Sequence, residues 1–300
     1  MTIALTGATG FLGSHLLASF EEKGIRGRAL IRSSSPRKYR IKDFPVEICE
    51  VDWKREDSLA QALGDCDILV HLAGLTNGAE GLLRQVNVEY TRKIVQAADK
   101  VGMKRIIFTS SVAALLMHGI YGETKREAEE LIRGSGIPYV IFRPAFIYGE
   151  GDERNTGLMI RTLKRFPLVP LLGGGTFLLQ PVYVDDVVSL LLQALHTSHL
   201  NQAYTVAGPK QIALREILVL LAENLGFKRV YIPIPLKPAQ ALVRIYTSLF
   251  KETRLPVKQV LELDKHEAFD ISQTRRDFDF NPIEFREGVQ RMFQRSLCAA

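Results

Sequence analysis

The sequence predicts an α/β protein built on a doubly wound parallel sheet, joined by a smaller α/β domain in the C-terminal half. Short apolar runs such as "TIALTG", "DILVHLAG" and "RIIFTSS" alternate with amphipathic runs such as "GSHLLASFEEKG" in the first half of the chain. Buried strands separated by helical patterns are typical of βαβ units, whose strands run parallel. Beyond residue 150, glycine and proline interrupt a looser pattern, which predicts the second domain.

The domain boundaries follow from where the first pattern ends and where it returns. Residues 1–150 are predicted to form a dinucleotide-binding domain, rejoined at 176–200 by the strand and helix of "QPVYVDDVVSLLLQALH". Residues 151–175 and 201–300 are assigned to the substrate-binding domain. In the latter, "PAQALVRIYTSLFKETRLP" is expected to cover the substrate pocket, with a partner-binding or membrane-surface helix as the alternatives.

Composition and length exclude several classes of protein. The 300 residues are 46% hydrophobic and 24% charged, as in folded soluble chains, and no apolar run reaches the ~18 residues of a membrane span. No basic leader precedes the first strand, which predicts a cytoplasmic protein. The cysteines, Cys49, Cys66 and Cys298, predict neither a metal site nor disulfides. The net charge of +6 is interleaved with acids, so it favours a phosphate-bearing ligand over nucleic acid.

A glycine-rich turn near the start of the sequence predicts a dinucleotide site. Gly7, Gly10 and Gly13 recur at three-residue intervals between a predicted strand and a predicted helix. Residues without side chains allow a close approach of the backbone to a pyrophosphate, whose charge the free N–H groups of the helix N-terminus stabilise. The spacing differs from the commoner GxGxxG pattern, but its place between strand and helix predicts a Rossmann domain.

The end of the second predicted strand indicates which dinucleotide binds. NAD-preferring sites place an acidic residue about 20 residues after the glycine turn, where it holds the ribose 2′-OH. Here the strand in "RALIRSSSPRK" ends in Arg32, and an arginine suits the 2′-phosphate of NADP. The sequence therefore predicts NADP rather than NAD, with Arg32 as the main contact and a solvated basic turn as the alternative.

Further motifs follow the glycine turn in a fixed order. They are "VDW" at 51–53, "VHLAG" at 70–74, "VNVEYTRKIVQAA" at 86–98, "FTSS" at 108–111, "YGETK", "FRPAFIYGEG" and "PVYVDDVV". In this order they resemble the extended short-chain dehydrogenase/reductase family, which includes nucleotide-sugar epimerases and dehydratases, dihydroflavonol reductases and related steroid enzymes. The resemblance runs nearly end to end and implies an NAD(P)-dependent enzyme.

The segment "GIYGETKREAEEL" contains the predicted catalytic pair. By the resemblance, Tyr121 and Lys125 match the family's YxxxK pair, and Ser111 matches the serine of its triad. Residues at i and i+4 share one helix face, and a neighbouring cation lowers the pKa of a phenol from about 10, as a general acid or base requires. Ser111 is expected to orient the substrate oxygen. The alternative is a surface Tyr and Lys at an ordinary helix start.

The resemblance also implies a set of ligand contacts. Asp52 is expected to accept a hydrogen bond from the adenine amine, His71 and Ala73 to line the cofactor channel, and Asn87 to face the active site from a helix, with a structural role as the alternative for each. Arg143 is expected to orient the domain junction. The predicted cofactor contacts are Gly7, Thr9, Gly10, Phe11, Leu12, Gly13, Arg32, Asp52, Trp53, Leu72, Ala73, Gly74, Asn87, Tyr121, Lys125 and Pro144. The predicted substrate contacts are Thr76, Ser111, Val112 and Phe146.

Two features depart from the family pattern. The segment between Ser111 and Tyr121 is short and apolar, where the family usually has a longer substrate-contacting loop. The places from which nucleotide-sugar enzymes grip the diphosphate hold Phe146 and the tripeptide 179–181. The cations that follow "YGEGD" could replace these grips or form the solvated face of a helix: Arg154, Arg161, Lys164 and Arg165.

The sequence thus predicts one function and leaves two alternatives open. The first is an NADP-dependent oxidoreductase that passes hydride between the nicotinamide and a carbonyl or carbinol carbon, with Tyr121 as general acid or base. The alternatives are a nucleotide-sugar epimerase or dehydratase with retained NAD(P), and a non-catalytic NADPH-binding subunit of a respiratory complex. Such subunits generally lack the tyrosine–lysine pair. The apolar face of "TRKIVQAADKV" would allow a homodimer.

Overall fold

The chain folds into two compact units, each assembled from separate stretches of sequence. The computed structural model describes residues 1–117, 119–238 and 268–298, with side chains to residue 295. Unit 1 comprises Met1–Ala145, Val184–Val206 and Ile271–Asn281. Unit 2 comprises Phe146–Tyr183, Ala207–Asp270 and Pro282–Ala300. The helix predicted over 238–256 lies outside the described residues from position 239 onward.

Strands and helices alternate through most of unit 1. The elements named next belong to the described residues of both units. In chain order the strands are β1 (Ile3–Thr6), β2 (Gly27–Arg32), β3 (Glu47–Val51), β4 (Ile68–His71), β5 (Arg105–Thr109), β6 (Tyr139–Pro144), β7 (Ile147–Tyr148), β8 (Leu168–Leu172), β9 (Leu178–Leu179), β10 (Val182–Tyr183), β11 (Gln202–Val206), β12 (Ile212–Ala213) and β13 (Val230–Ile234). The helices are α1 (Phe11–Glu22), α2 (Glu56–Leu63), α3 (Glu80–Arg84), α4 (Tyr90–Lys100), α5 (Ala113–Leu116), α6 (Gly119–Arg133), α7 (Thr156–Arg165), α8 (Val184–Ala194), α9 (Leu214–Asn224), α10 (Ser272–Phe278) and α11 (Phe285–Cys298). A π-helical turn, Gln85–Glu89, joins α3 to α4.

A seven-stranded parallel sheet forms the centre of unit 1. Its strand order is β11-β6-β5-β4-β1-β2-β3, and each neighbouring pair is parallel. The predicted doubly wound α/β fold is confirmed. The strand order reverses between β1 and β4, and ligands of such sheets bind outside the carboxyl ends of the strands at the reversal. Thr6 ends β1 and leads directly into the glycine turn.

The helices that flank this sheet bury its apolar side chains. Residues of α2, α4 and α6 join the sheet in one continuous core, which contains Leu59, Ile94, Phe108 and Ile132. Ala97 and Ala98 of α4 lie in the same core. The apolar face of α4, which would allow a homodimer, is therefore packed against its own chain.

A late segment of the chain belongs to unit 1. The Thr274 hydroxyl of α10 donates to the carbonyl oxygen of Thr205 at 2.6 Å, and Tyr204 donates to Asp277 at 2.9 Å. Phe278 packs edge-on against the Tyr204 ring at 4.9 Å. The predicted boundaries had put 271–281 with the substrate domain. The difference arises because side chains of α10 complete the edge of the sheet at β11, a contact with no local sequence signal.

In its described residues, unit 2 is built from two-stranded sheets and the helices α7, α9 and α11. β10 pairs with β7, β12 with β9, and β13 with β8, so residues 176–183, predicted to rejoin the first domain, belong here instead. Tyr148 is fully buried between Tyr183 at 5.5 Å and Phe285 of α11 at 4.6 Å. Across the described ranges, no helix is both long enough and apolar enough to cross a bilayer.

Candidate active site

The glycine turn between β1 and α1 packs tightly against the end of β4. Gly7 has a φ of +74°, in the left-handed region that favours glycine. A Cβ atom at this position would lie 2.7 Å from the carbonyl carbon of Leu72 and 2.7 Å from the nitrogen of Ala73. A Cβ atom at Gly13 would overlap the carbonyl oxygen of Gly7. Only glycine fits at these two positions.

This turn leaves the N-terminus of α1 open. Gly10 is the N-cap residue of α1. Helix α1, all of whose residues the structure describes, has no side-chain cap and no acidic residue in its first turn. The first N–H groups of a helix have no partners within it and carry a partial positive charge, which attracts phosphate. Thr9, Phe11 and Leu12 lie half-buried in the same turn. The arrangement fits the pyrophosphate of a dinucleotide.

Asn87 ties the segment after β4 to α6. It is buried in the π-helical turn, a feature common at functional sites. Its side-chain oxygen accepts from the N–H of Leu75 at 2.8 Å, and its amide donates to Thr124 at 3.0 Å. A Cβ atom at Gly74 would lie 3.3 Å from the Asn87 side-chain oxygen and 3.7 Å from the Lys125 ammonium. Three segments therefore meet beside Lys125.

Lys125 is a buried lysine at the carboxyl end of the sheet. Among the described residues, its ammonium donates one hydrogen bond, to the carbonyl oxygen of Thr109 at 2.7 Å, and lies 4.2 Å from the centre of the Phe108 ring. Burial lowers the pKa of Lys125 to about 7, although the charge of Glu129 opposes this shift. The remaining N–H groups can donate to a hydroxyl, so the residue fits the nicotinamide ribose of a dinucleotide.

Tyr121 lies one turn before Lys125 on α6, next to the segment that follows Ser111. The Ser111 hydroxyl accepts from the N–H of Ala113 at 3.2 Å. The carbonyl oxygen of Ala113 lies so close to Gly122 that a Cβ atom there would overlap it. Gly122 thus lets the start of α6 contact the short helix after Ser111. The predicted catalytic residues are carried by segments in direct contact.

A buried charge cluster lies one helical turn beyond Lys125. Glu129 is fully buried and accepts hydrogen bonds from Ser110 at 2.6 Å and from Arg143 at 2.8 and 2.5 Å. Burial alone would raise the pKa of Glu129, but the hydrogen bonds from Arg143 and Ser110 outweigh it and lower this pKa. Glu129 therefore holds a negative charge four residues from Lys125.

The sequence did not predict the cluster of Glu129, Ser110 and Arg143. Arg143, expected to orient the domain junction, forms a two-point ion pair with Glu129. One signal could have found Glu129: it follows Lys125 by four residues, as Lys125 follows Tyr121, so all three share one face of α6. The contribution of Ser110 had no such signal, because its partner lies 19 residues away.

His71 was expected to line the cofactor channel, and this expectation was wrong. The residue is buried, and its ring nitrogens pair with the hydroxyls of Thr6 at 2.6 Å and Thr91 at 3.0 Å. Burial, with a smaller contribution from the Lys125 charge, lowers the pKa of His71 to about 3, so the ring is neutral. A neutral ring paired on both sides joins β1 and β4 to α4 instead.

The other predicted cofactor contacts occupy different surroundings. Arg32 is exposed at the end of β2. Asp52 is exposed, and its carboxylate accepts from the N–H of Lys54 at 2.9 Å. Trp53 is buried and packs on Tyr90 with ring centres 5.4 Å apart, so a cofactor could meet it only through its backbone.

The predicted substrate contacts divide between the two units. Val112 donates its N–H to the carbonyl oxygen of Pro144 at 3.1 Å, which brings the Ser111 segment to the end of β6. Thr76 is exposed in the loop after β4. Phe146 belongs to unit 2, where its carbonyl oxygen accepts from the N–H of Val182 at 2.9 Å.

Gln180 lies in the tripeptide 179–181, where nucleotide-sugar enzymes bind the diphosphate, but here it has other partners in unit 2. The buried side chain of Gln180 donates to the carbonyl oxygens of Gly208 at 2.9 Å and Phe269 at 3.1 Å, and accepts from the N–H of Phe269 at 2.8 Å. Its polar atoms are therefore committed to the backbone. The cations proposed as substitutes are exposed on or just before α7: Arg154, Arg161, Lys164 and Arg165.

The glycine turn, the buried Lys125 and the neighbouring Ser111 and Tyr121 define a dinucleotide-dependent enzyme of the extended short-chain dehydrogenase/reductase type. A profile of the NAD-dependent epimerase/dehydratase family matches residues 3–207, which include all of these features. The chain belongs to this family. Relatives of this chain include a ketoreductase and a 4-epimerase of a polyprenol-diphosphate-linked sugar.

Similar proteins cover nearly the whole chain. A 4-hydroxy-2-methyl-3-oxo-4-farnesyl-3,4-dihydroquinoline-1-oxide ketoreductase of Stigmatella aurantiaca is 27% identical over 98% of this chain and 96% of its own. The mitochondrial NADH dehydrogenase [ubiquinone] 1 alpha subcomplex subunit 9 of Arabidopsis thaliana is 25% identical over 94% of this chain and 72% of its own. The structure of UDP-glucuronic acid 4-epimerase from Bacillus cereus with NAD has a TM-score of 0.77 at 19% identity, covering 98% of both chains, and this likeness concerns the fold.

Proposed function

We propose that this protein is an NADP-dependent ketoreductase that acts on an apolar small molecule. The observation that carries the proposal is the buried Lys125 ammonium at the end of β5, with Tyr121 one turn before it on the same helix. When bound, the cofactor would supply the hydride for a carbonyl carbon. Tyr121 donates a proton to the carbonyl oxygen, Ser111 holds that oxygen by a hydrogen bond, and Lys125 holds the ribose. The product is the alcohol.

The choice of an apolar substrate over a nucleotide-linked sugar has support in both units. Leu115 and Met117, in the short segment between Ser111 and Tyr121, present exposed apolar side chains. Gln180 lies where nucleotide-sugar enzymes have a residue that binds the diphosphate, but its side-chain polar atoms hydrogen-bond to the backbone instead. The similar ketoreductase of Stigmatella acts, by its name, on a farnesylated ketone.

The experiment that tests this function combines nucleotide identification with turnover. The purified protein is treated with acid, and released nucleotides are identified by mass spectrometry. It is then incubated with NADPH and prenylated or aromatic ketones, and separately with UDP-glucose. We expect freely exchanging NADP(H) and NADPH oxidation that depends on a ketone. Retained NAD with interconversion of UDP-sugars would instead assign an epimerase.

The preference for NADP rests on Arg32. No acidic residue occupies the end of β2 that faces the ribose in NAD-preferring sites, and an exposed guanidinium stands there. Replacing Arg32 by alanine is expected to raise KM for NADPH about 30-fold, the size of one hydrogen bond to a charged group, with little change for NADH. Steady-state kinetics with both nucleotides measures this.

Arg26 supplies the matched control for that variant. It is exposed and precedes β2 at the other end of the strand, so Arg26→Ala should leave both KM values unchanged. If Arg32→Ala raised KM equally for NADPH and NADH, the guanidinium would not contact the 2′-phosphate. A wild-type preference for NADH would overturn the assignment altogether.

A non-catalytic NADPH-binding subunit is the second candidate. The similarity to the Arabidopsis complex subunit favours it, whereas the Tyr121–Lys125 pair argues for turnover. This candidate would be supported if the protein bound NADPH but no ketone caused its oxidation, and if Tyr121→Phe bound NADPH equally well. The homodimer and the cytoplasmic location stay predictions; sedimentation of the purified protein tests the former.

A further inference from the structure

An exposed apolar surface lies on one two-stranded sheet of unit 2. β8 and β13 are parallel, with Leu168 opposite Val230 and Pro170 opposite Ile232. Successive side chains of a strand point to opposite faces. Val169 accordingly is buried, whereas Leu168, Val230 and Ile232 are 53%, 60% and 42% exposed. Leu168, Pro170, Val230 and Ile232 are called the apolar strand face below.

Aromatic and cationic residues adjoin the same end of both strands. Phe166 and Phe227 precede β8 and β13 and are exposed. The Arg165 guanidinium lies 5.4 Å from the Phe166 ring, and that of Arg229 lies 4.2 Å from the Phe227 ring. Arg229 also donates to the carbonyl oxygen of Leu163 at 2.6 Å, which ties the end of α7 to the start of β13. Exposed aromatic rings and cations therefore lie at the end of the sheet where β8 and β13 begin.

The charge around the apolar strand face is mainly positive, although Glu223 of α9 lies close enough to β13 to contribute, after burial, to the raised pKa of Tyr231. The stretches 157–172 and 224–238, which contain both strands and their flanks, include no aspartate or glutamate. Their cations are Arg161, Lys164, Arg165, Lys228, Arg229 and Lys237. Residues 23–42 of unit 1 also contain cations and no acid, but there Arg28 pairs with Glu47 and Lys38 pairs with Glu50. The surface is thus complementary to an anionic partner with an apolar layer.

We propose that the apolar strand face docks on an anionic phospholipid bilayer. Its aliphatic side chains would enter the boundary between headgroups and acyl chains, and the flanking cations would meet phosphate and other anionic headgroups. The exposed rings of Phe166 and Phe227 would enter the same boundary, as phenylalanine does in helices that lie on a membrane surface. A second copy of this chain is a poorer partner because its cations would face those of the first copy. Nucleic acid would match the cations but not the aliphatic face.

The test is vesicle flotation of the full chain. Vesicles of phosphatidylcholine alone are compared with vesicles that also contain phosphatidylglycerol, at low and high salt. We expect binding that requires phosphatidylglycerol and weakens with salt. The charge variant Arg165→Gln/Lys228→Gln should bind about 25-fold more weakly, about fivefold for each cation removed. The apolar variant Val230→Thr/Ile232→Thr, which keeps β-branched side chains, should also lose binding, by about tenfold.

Matched controls come from unit 1. Lys100→Gln removes an exposed cation of α4, and Leu82→Gln removes an exposed apolar side chain of α3; neither should alter binding. Nucleotide binding by each variant checks that it is folded. The proposal is overturned if the wild type does not bind, or if it binds both kinds of vesicle equally. It is also overturned if Val230→Thr/Ile232→Thr converts a dimer to a monomer, since a second copy would then cover the face.

Discussion

Replacing Tyr121 by phenylalanine is expected to lower ketone turnover by about 10²–10⁴-fold, the usual contribution of a positioned general acid. The substitution removes only the phenolic hydroxyl, at a position held by the close contact of Gly122 with Ala113. The ring still fills its place on α6, and the Lys125 ammonium keeps its bond to Thr109. NADPH affinity should therefore be nearly unchanged, so the loss appears in kcat. Single-turnover and steady-state kinetics, with a ketone that the turnover experiment shows to be a substrate, measure it.

Tyr139 offers a matched control for this variant. It lies at the opposite end of the sheet, at the start of β6, and its hydroxyl accepts from Arg133 at 3.0 Å. Tyr139→Phe removes the same atom from the same unit, and turnover should stay within a small factor of the wild type. If Tyr121→Phe retained wild-type kcat, Tyr121 would not be the proton donor, and the ketoreductase mechanism would lose its central step.

The fold and much of the site could be predicted because their signals are local in sequence. The parallel sheet follows from apolar runs between amphipathic ones, and the glycine turn follows from three glycines between a strand and a helix. Tyr121 and Lys125 are neighbours on one helix turn, so a sequence window contains both. Positions that only glycine fits, Gly7 and Gly13, leave a direct mark on the sequence.

The features that escaped prediction depend on partners distant in the chain. The Thr6–His71 hydrogen bond joins residues 65 positions apart, and Thr274 reaches the backbone of Thr205 over 69 positions. Without the fold, a histidine at the end of a strand resembles a channel residue, and residues 271–281 resemble a continuation of the second domain. Both errors arise because burial of a polar side chain is decided by tertiary contacts, not by neighbours in sequence.

Replacing Glu129 by glutamine is expected to lower the free energy of unfolding by about 3 kcal/mol, the cost of leaving a buried ionic partner uncompensated. The Arg143 side chain, which is 12% exposed, would face an amide in place of the carboxylate that accepts two of its hydrogen bonds. Chemical denaturation measures the loss. Glu130→Gln is the control: Glu130 follows directly on the same helix but is exposed and pairs with Arg126, so its loss should be small.

Glu129→Gln should also shift the pH profile of kcat/KM in a defined direction. The charge of Glu129 raises the pKa of Lys125, whereas burial lowers it to about 7. Without that charge the pKa of Lys125 falls further, and the ammonium exists only below its pKa. Activity that needs the ammonium is present at low pH and lost as pH rises, so the alkaline limb of kcat/KM should shift to lower pH.

Ser110→Ala separates charge from packing in this cluster. It removes one hydrogen bond to Glu129 but keeps the Glu129–Arg143 pair, so the protein should be destabilised without a shift of the alkaline limb. If the alkaline limb shifted in both Ser110→Ala and Glu129→Gln, altered packing of α6 would be the cause. If it shifted in neither, the pKa of Lys125 would not determine that limb. A shift confined to Glu129→Gln requires a charge effect, because only that variant changes the net charge facing Lys125.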